Sequence, residues 1–116
     1  MIIRFDEIGK TVMPEFKGGN KELSANMFFD GTNRIFKGTL IPGASIGMHI
    51  HDDSCEVIFI ISGNGTIIEH EPGNTEGASR DVTSGDCLYC PKGHAHSLIN
   101  TGDEEDLVFY AAVTRQ

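Results

Sequence analysis

Tryptophan is absent from this 116-residue chain, and basic side chains are scarce: nine lysines and arginines stand against seventeen aspartates and glutamates, a formal net charge of -8 at pH 7. An acidic balance of that size excludes nucleic acid and an anionic membrane surface as partners, because both would be repelled. Long hydrophobic runs are also missing. The longest unbroken one, Val57 to Ile61, falls far short of the roughly 20 apolar residues a membrane-spanning helix needs. The opening MIIRFDEIGK carries charges where a signal peptide needs an apolar stretch, so a cytoplasmic location is the expectation. Cysteine is sparse and odd in number (Cys55, Cys87, Cys90), which argues against a disulfide framework and suits a reducing compartment. No stretch of ten or more residues keeps helical apolar spacing, which removes helical folds from consideration.

What remains is a series of short strands cut by turn residues. Candidate strands lie near 25–29, 34–41, 45–50, 55–61, 65–70, 86–89, 96–100 and 107–113. Pro42-Gly43, Gly63-Asn64-Gly65, Pro72-Gly73 and Thr101-Gly102-Asp103 mark turns between them. The pattern predicts an all-β fold, a barrel or two-sheet roll, and the length predicts one domain over residues 1–116.

Two segments concentrate the chemistry. In the first, His49 and His51 are two apart, so on an extended strand both imidazoles point the same way. A turn of four residues then lets the next strand return with Glu56 beside them, while His96 must arrive from a strand far off in sequence. Three neutral imidazoles and one carboxylate suit a divalent transition metal such as iron, manganese, nickel, copper or zinc, and do not suit magnesium or calcium, which prefer oxygen shells. Zinc held tetrahedrally by all four would be a closed structural site; an octahedral ion would keep two positions open.

The two segments resemble the paired motifs of the cupin superfamily. Motif one, 43–63, has Gly43, five residues, His49-x-His51, four residues, Glu56, six residues and Gly63. Motif two, 85–100, has Gly85, five residues, Pro91-x-Gly93, two residues, His96, three residues and Asn100. The resemblance implies a double-stranded β-helix (jelly-roll) barrel with a metal at His49, His51, Glu56 and His96. Each motif occurs once, so one barrel is expected. If Glu56 points inward, Ile58 and Ile60 share its face, and Val57, Phe59 and Ile61 point outward though equally apolar. The other sheet's edge, the N-terminal segment or a second copy must cover them; the resemblance implies a homodimer. Among branches of the superfamily, Glu56 argues against thiol dioxygenases, and the full ligand set against metal-free epimerases. The cysteine-free Met1–Glu22 segment argues against germin-like oxidases, and the chain has no room for the helix-turn-helix of the regulators.

Other residues are read more plainly. His94, two before His96, is the candidate general acid or base, though it follows Pro-Lys-Gly at a turn. Tyr89 reads as a core aromatic, and His70 as a hydrogen-bonded core histidine at the lip of a Glu71–Arg80 loop whose composition suggests a mobile flap. Asn100 should brace a turn with its amide. Cys87 and Cys90, three apart on a strand, face opposite sides and read as small strand residues rather than a metal pair; Cys55 should likewise be structural. Asp103 to Asp106 reads as a solvated hairpin tip.

A divalent ion with one carboxylate keeps net positive charge in a barrel of low dielectric, which favours a small anionic or polyhydroxy ligand binding through two oxygens. Two functions compete: an enzyme on a small oxygen-rich acid or sugar, by metal-assisted decarboxylation, isomerisation, lyase chemistry or oxygenation, and a binding module that holds such a ligand without turnover. A titrating group within reach of the ligand would favour the enzyme, and a wholly apolar inner wall the module.

Overall fold

The computed structural model describes residues Met1–Gln116. Ten strands form two antiparallel sheets: β1 (Lys10–Pro14), β2 (Glu22–Phe29), β3 (Arg34–Leu40), β4 (Ser45–Ile50), β5 (Ser54–Ser62), β6 (Asn64–His70), β7 (Ala78–Thr83), β8 (Cys87–Cys90), β9 (Ala95–Ile99) and β10 (Leu107–Arg115). One sheet has the order β1-β2-β3-β10-β5-β8 and the other β4-β9-β6-β7. The chain crosses repeatedly between them, and their inner faces enclose one core, the jelly-roll barrel expected from the sequence.

Alternation in the strands decides what is buried. In β3 the inward positions Phe36, Gly38 and Leu40 are buried while their neighbours are not. In β5, Ile58 and Ile60 are buried and Phe59 and Ile61 exposed, as period-two alternation requires. Leu23, Leu40, Ile58, Ile60, Leu98, Leu107 and Phe109 are all sealed from solvent at the centre. Phe36 meets Phe109 edge to face at 6.0 Å. The Phe109 ring occupies the space a Cβ at Gly38 would need, so glycine there is a packing requirement.

Two strands were not evident in the sequence, and both lie at sheet edges. β1 ends in Pro14 and buries no residue fully, and β7 buries only Val82. An edge strand with little to bury shows no apolar alternation, and proline is tolerated there because it has no ladder hydrogen bond to donate. β7 also shortens the expected 71–80 loop, since pairing with β6 begins at Ala78.

Antiparallel crossing sends alternate connections to opposite ends. Residues 30–33, 51–53, 71–77 and 91–94, together with the end of β10, gather at one end; residues 41–44, 63, 84–86 and 100–106 gather at the other. Asn100 anchors the second end, fully buried. Its Nδ2 donates to the carbonyls of Leu40 (2.8 Å) and Glu105 (2.9 Å), and its Oδ1 accepts from the Gly102 amide (3.0 Å). The turn-bracing role expected of it is therefore met, and it also ties in the end of β3. At the first end, Asp30 closes the β2–β3 hairpin by accepting from the amides of Thr32 and Asn33. Those two amides, Asn33's first, hold its carboxyl below the usual value. Residues 103–106 are exposed, as expected of a hairpin tip.

Candidate metal centre

The four residues singled out by spacing meet at the first end of the barrel. His49 on β4 lies directly opposite His96 on β9 in the ladder. Glu56 is an inward position of β5, two residues before Ile58, and His51 sits just beyond the end of β4. One donor atom from each residue lies within 4.8 Å of all the others. The three imidazole centroids form a near-equilateral triangle with sides of 5.0, 4.8 and 5.0 Å. His51, Glu56 and His96 are buried and His49 is half-buried, so the triangle is most open on the His49 side.

Backbone and side-chain partners orient these rings. The ladder between β4 and β9 slips between Ile46 and His49, a bulge that re-aims the strand. The Gly47 carbonyl accepts from His49 Nδ1 at 2.8 Å. Ser54 Oγ lies 2.8 Å from His51 Nδ1 and accepts its proton in the same tautomer. With both Nδ1 atoms so engaged, the Nε2 lone pairs turn inward, the arrangement by which histidines ligate metals. His51 Nε2 is 3.1 Å from His96 Nε2 and 3.2 Å from Glu56 Oε1, and His96 Nε2 is 2.8 Å from the same oxygen. Nitrogen lone pairs facing each other beside a carboxylate call for a cation among them. The donor set therefore fits a single divalent transition metal, with nitrogen and oxygen ligands and no thiolate.

Electrostatics point the same way. When the His51 and His96 rings carry a proton on Nε2 in place of a cation, burial alone would still raise the Glu56 carboxyl, yet the hydrogen bonds those N–H groups donate, and their charge, hold it at about 2. Burial pushes His49 below its ordinary value, so it resists protonation and keeps its lone pair, despite the acceptor at Gly47.

The remaining candidates separate. His94 ends the turn before β9, half-buried at the mouth; its carbonyl accepts from the His51 amide at 3.0 Å, and its ring lies outside the four-residue group. Tyr89, expected in the core, is instead 53% exposed, because its register opposite Val57 puts it on the outer face. His70 is not a core residue either. It is half-buried, and its Nδ1 reaches the Asn74 carbonyl at 3.1 Å, pinning the 71–77 connection. Cys87 is exposed and Cys90 buried, facing opposite sides as expected. Cys90 pairs with Glu56 across β5 and β8. Burial, and then the negative charge of Glu56, push its thiol up to about 12.

Three inward groups escaped the sequence. Ser54 is one. Glu69 is another: β6 sets it directly opposite His96, on the inward face with Ile67, and its Oε1 accepts from Arg80 at 2.9 Å. The third is Arg34, which continues the inward row of β3 at the mouth. Nothing local in the sequence marks these residues, since their facing depends on register between strands distant in the chain.

A family model described as a cupin domain matches residues 36–113. An oxalate-binding protein of Thermotoga maritima is 28% identical over 119 residues, covering 97% of this chain and 93% of that one. A solved structure described as a predicted oxalate decarboxylase, also from Thermotoga maritima, superposes with a TM-score of 0.87 at 26% identity, with all of both chains covered. A cupin 2 conserved barrel domain protein from Salinispora arenicola shares the fold, with a TM-score of 0.69 at 21% identity over 98% of this chain and 87% of that one.

Proposed function

Because this chain belongs to the cupin family, we propose that His49, His51, Glu56 and His96 hold one divalent transition metal, and that the protein takes up a small oxygen-rich acid of the oxalate class beside it. The convergence of three inward Nε2 atoms on one buried carboxylate carries this reading. When bound, the ion supplies Lewis acidity toward oxygens that carry or develop negative charge. The chain's own residues do the rest. Ser54 and the Gly47 carbonyl fix the imidazoles, and Glu56 contributes one negative charge, which leaves a divalent centre net positive and selective for anions. Ile46, Ile58, Ile67 and Leu98 lie behind the cluster, buried and apolar, and exclude water from that side. The oxalate-binding name of the relative supports the ligand class.

Turnover of that acid is the reading we favour, on one observation: Glu69 stands opposite His96 on the inward face, a titrating group where a proton could be exchanged with a bound acid. Binding without turnover is favoured by the Arg80 partner that occupies the Glu69 carboxylate. Elemental analysis of the purified protein and of a His49→Ala, His51→Ala double variant, followed by oxalate titration calorimetry and product analysis on metal-loaded protein, separates these. Metal lost in the variant, oxalate bound only by the loaded protein, and oxalate consumed there support the full reading. Binding without consumption leaves the module, and absence of metal affinity overturns both.

We also propose that the outer face of the larger sheet pairs with a second copy. Phe59 is 53% and Ile61 43% exposed there, beside Tyr89 and Tyr110; the N-terminal segment covers only part, with Phe5 stacked on Tyr110 at 5.4 Å. An apolar face of one chain is matched by its own copy under twofold symmetry. A monomeric mass by light scattering at micromolar concentration would refute this.

A further inference from the structure

The inward face of the larger sheet carries one row of side chains across five strands at the level of the candidate metal centre. Cys90 pairs with Glu56, Glu56 with Val113, Val113 with Arg34, and Arg34 with Phe29. The row passes from buried at Cys90 and Glu56, through half-buried Val113, to exposed at Arg34 and Phe29. It therefore runs from the four-residue cluster outward to the rim. A cavity of about 210 Å³ lies over its outer part, lined by Phe29, Arg34, Asp53, Ser54, Val113 and Arg115 among others. Ser54, whose hydroxyl bonds His51 of the cluster, also lines this cavity.

The charges in this cavity are not equivalent. Arg115 and Asp53 face each other at 3.4 Å and offset one another. The Arg34 guanidinium lies over the Phe29 ring, 4.4 Å from its centroid, and has no carboxylate within ion-pairing distance. A guanidinium stacked on an aromatic ring keeps its in-plane N–H donors free for a carboxylate. In a chain of net charge -8, an unpaired arginine held beside a cavity at the same level as Glu56 is a selective feature.

We propose that Arg34 binds the far carboxylate of a dicarboxylic acid whose near end, a carboxylate with an adjacent oxygen, sits at the four-residue cluster. This rests on the proposed metal-dependent acid binding and narrows its ligand. Glu56 and Arg34 are two strand spacings apart, about 10 Å between backbones. The Arg34 guanidinium is turned to Phe29, on the strand lying away from Glu56, so it does not close that gap, and the two directly bonded carboxyls of oxalate are too close together to span it. A 2-hydroxy or 2-oxo acid with a second carboxylate on an intervening carbon chain is long enough. The ligand class is thus a 2-hydroxy or 2-oxo acid with a second, distant carboxylate, and Arg34 is its specificity-determining residue.

The test compares lactate with malate, which share the 2-hydroxy acid end and differ by the far carboxylate, on manganese-loaded protein by titration calorimetry, with oxalate alongside. The wild type should bind malate about tenfold more tightly than lactate, the increment of one charge-assisted contact at a partly exposed site. Arg34→Gln should abolish that preference while leaving lactate, oxalate and manganese affinity unchanged, which also verifies the fold of the variant. Equal affinity for malate and lactate in the wild type, or a malate preference that survives in Arg34→Gln, overturns the assignment of Arg34 and leaves the metal-and-acid reading standing. Failure of all three acids to bind the loaded protein overturns both.

Discussion

Replacing Ser54 by alanine should weaken metal affinity without unfolding the protein. The Ser54 hydroxyl and the His51 ring are both buried and 2.8 Å apart. Losing the hydroxyl removes one hydrogen bond and strands a buried N–H, together about 2 kcal/mol. That figure lies within the tenfold to hundredfold loss, about 1.4 to 2.8 kcal/mol, common when the partner of a ligating histidine is removed. The cost falls on binding rather than folding, because the freed imidazole can rotate or change tautomer and present the wrong nitrogen. Competition against a chromophoric chelator for nickel or zinc, at near-neutral pH, reads the affinity. Ser54→Thr keeps the acceptor and should restore most of it. An affinity unchanged in Ser54→Ala, or lost equally in Ser54→Thr, would refute the orienting role.

At the opposite end, Asn100→Ala removes three hydrogen bonds, two of them to the Leu40 and Glu105 carbonyls that the amide holds together. Urea unfolding should show a loss of about 4 kcal/mol with metal affinity unaltered; a loss confined to metal affinity would contradict the division between the two ends. Acid should destabilise the metal-free protein. The Glu56 carboxyl is held at about 2 in the fold against 4.5 otherwise, so its contribution, about 3 kcal/mol, is complete above the higher value and is lost as pH falls toward the lower. His49, pushed down by burial, acts in the same sense, since its proton binds more tightly to the unfolded chain. Urea midpoints measured across this range should fall less steeply in Glu56→Gln than in the wild type; parallel profiles would disprove the linkage.

The candidate centre was legible because its residue types and spacing are local. His49 and His51 declare a shared strand face, and Glu56 declares the return strand. The far partner, His96, was found through the spacing of the second motif. Facing across strands was not legible. Ser54, Glu69 and Arg34 gain their position from pairing with residues tens of positions away, and no periodicity within one strand encodes that register. Tyr89 was misplaced for the same reason: an aromatic on a strand between two cysteines gives no sign of which face is inward. The edge strands β1 and β7 were hidden for another reason. They bury almost nothing, so the alternation that reveals a strand had nothing to act on.

The three thiols have unequal surroundings, and this makes the chain convenient to label. Cys90 stays protonated beside Glu56, with its thiol pushed up to about 12, and Cys55 is buried, whereas Cys87 is exposed. A maleimide dye should therefore attach at one place without mutagenesis. Cys87 lies opposite Phe59 on the outer face of the larger sheet, so its emission would report subunit contact while leaving the His49–His96 end of the barrel untouched.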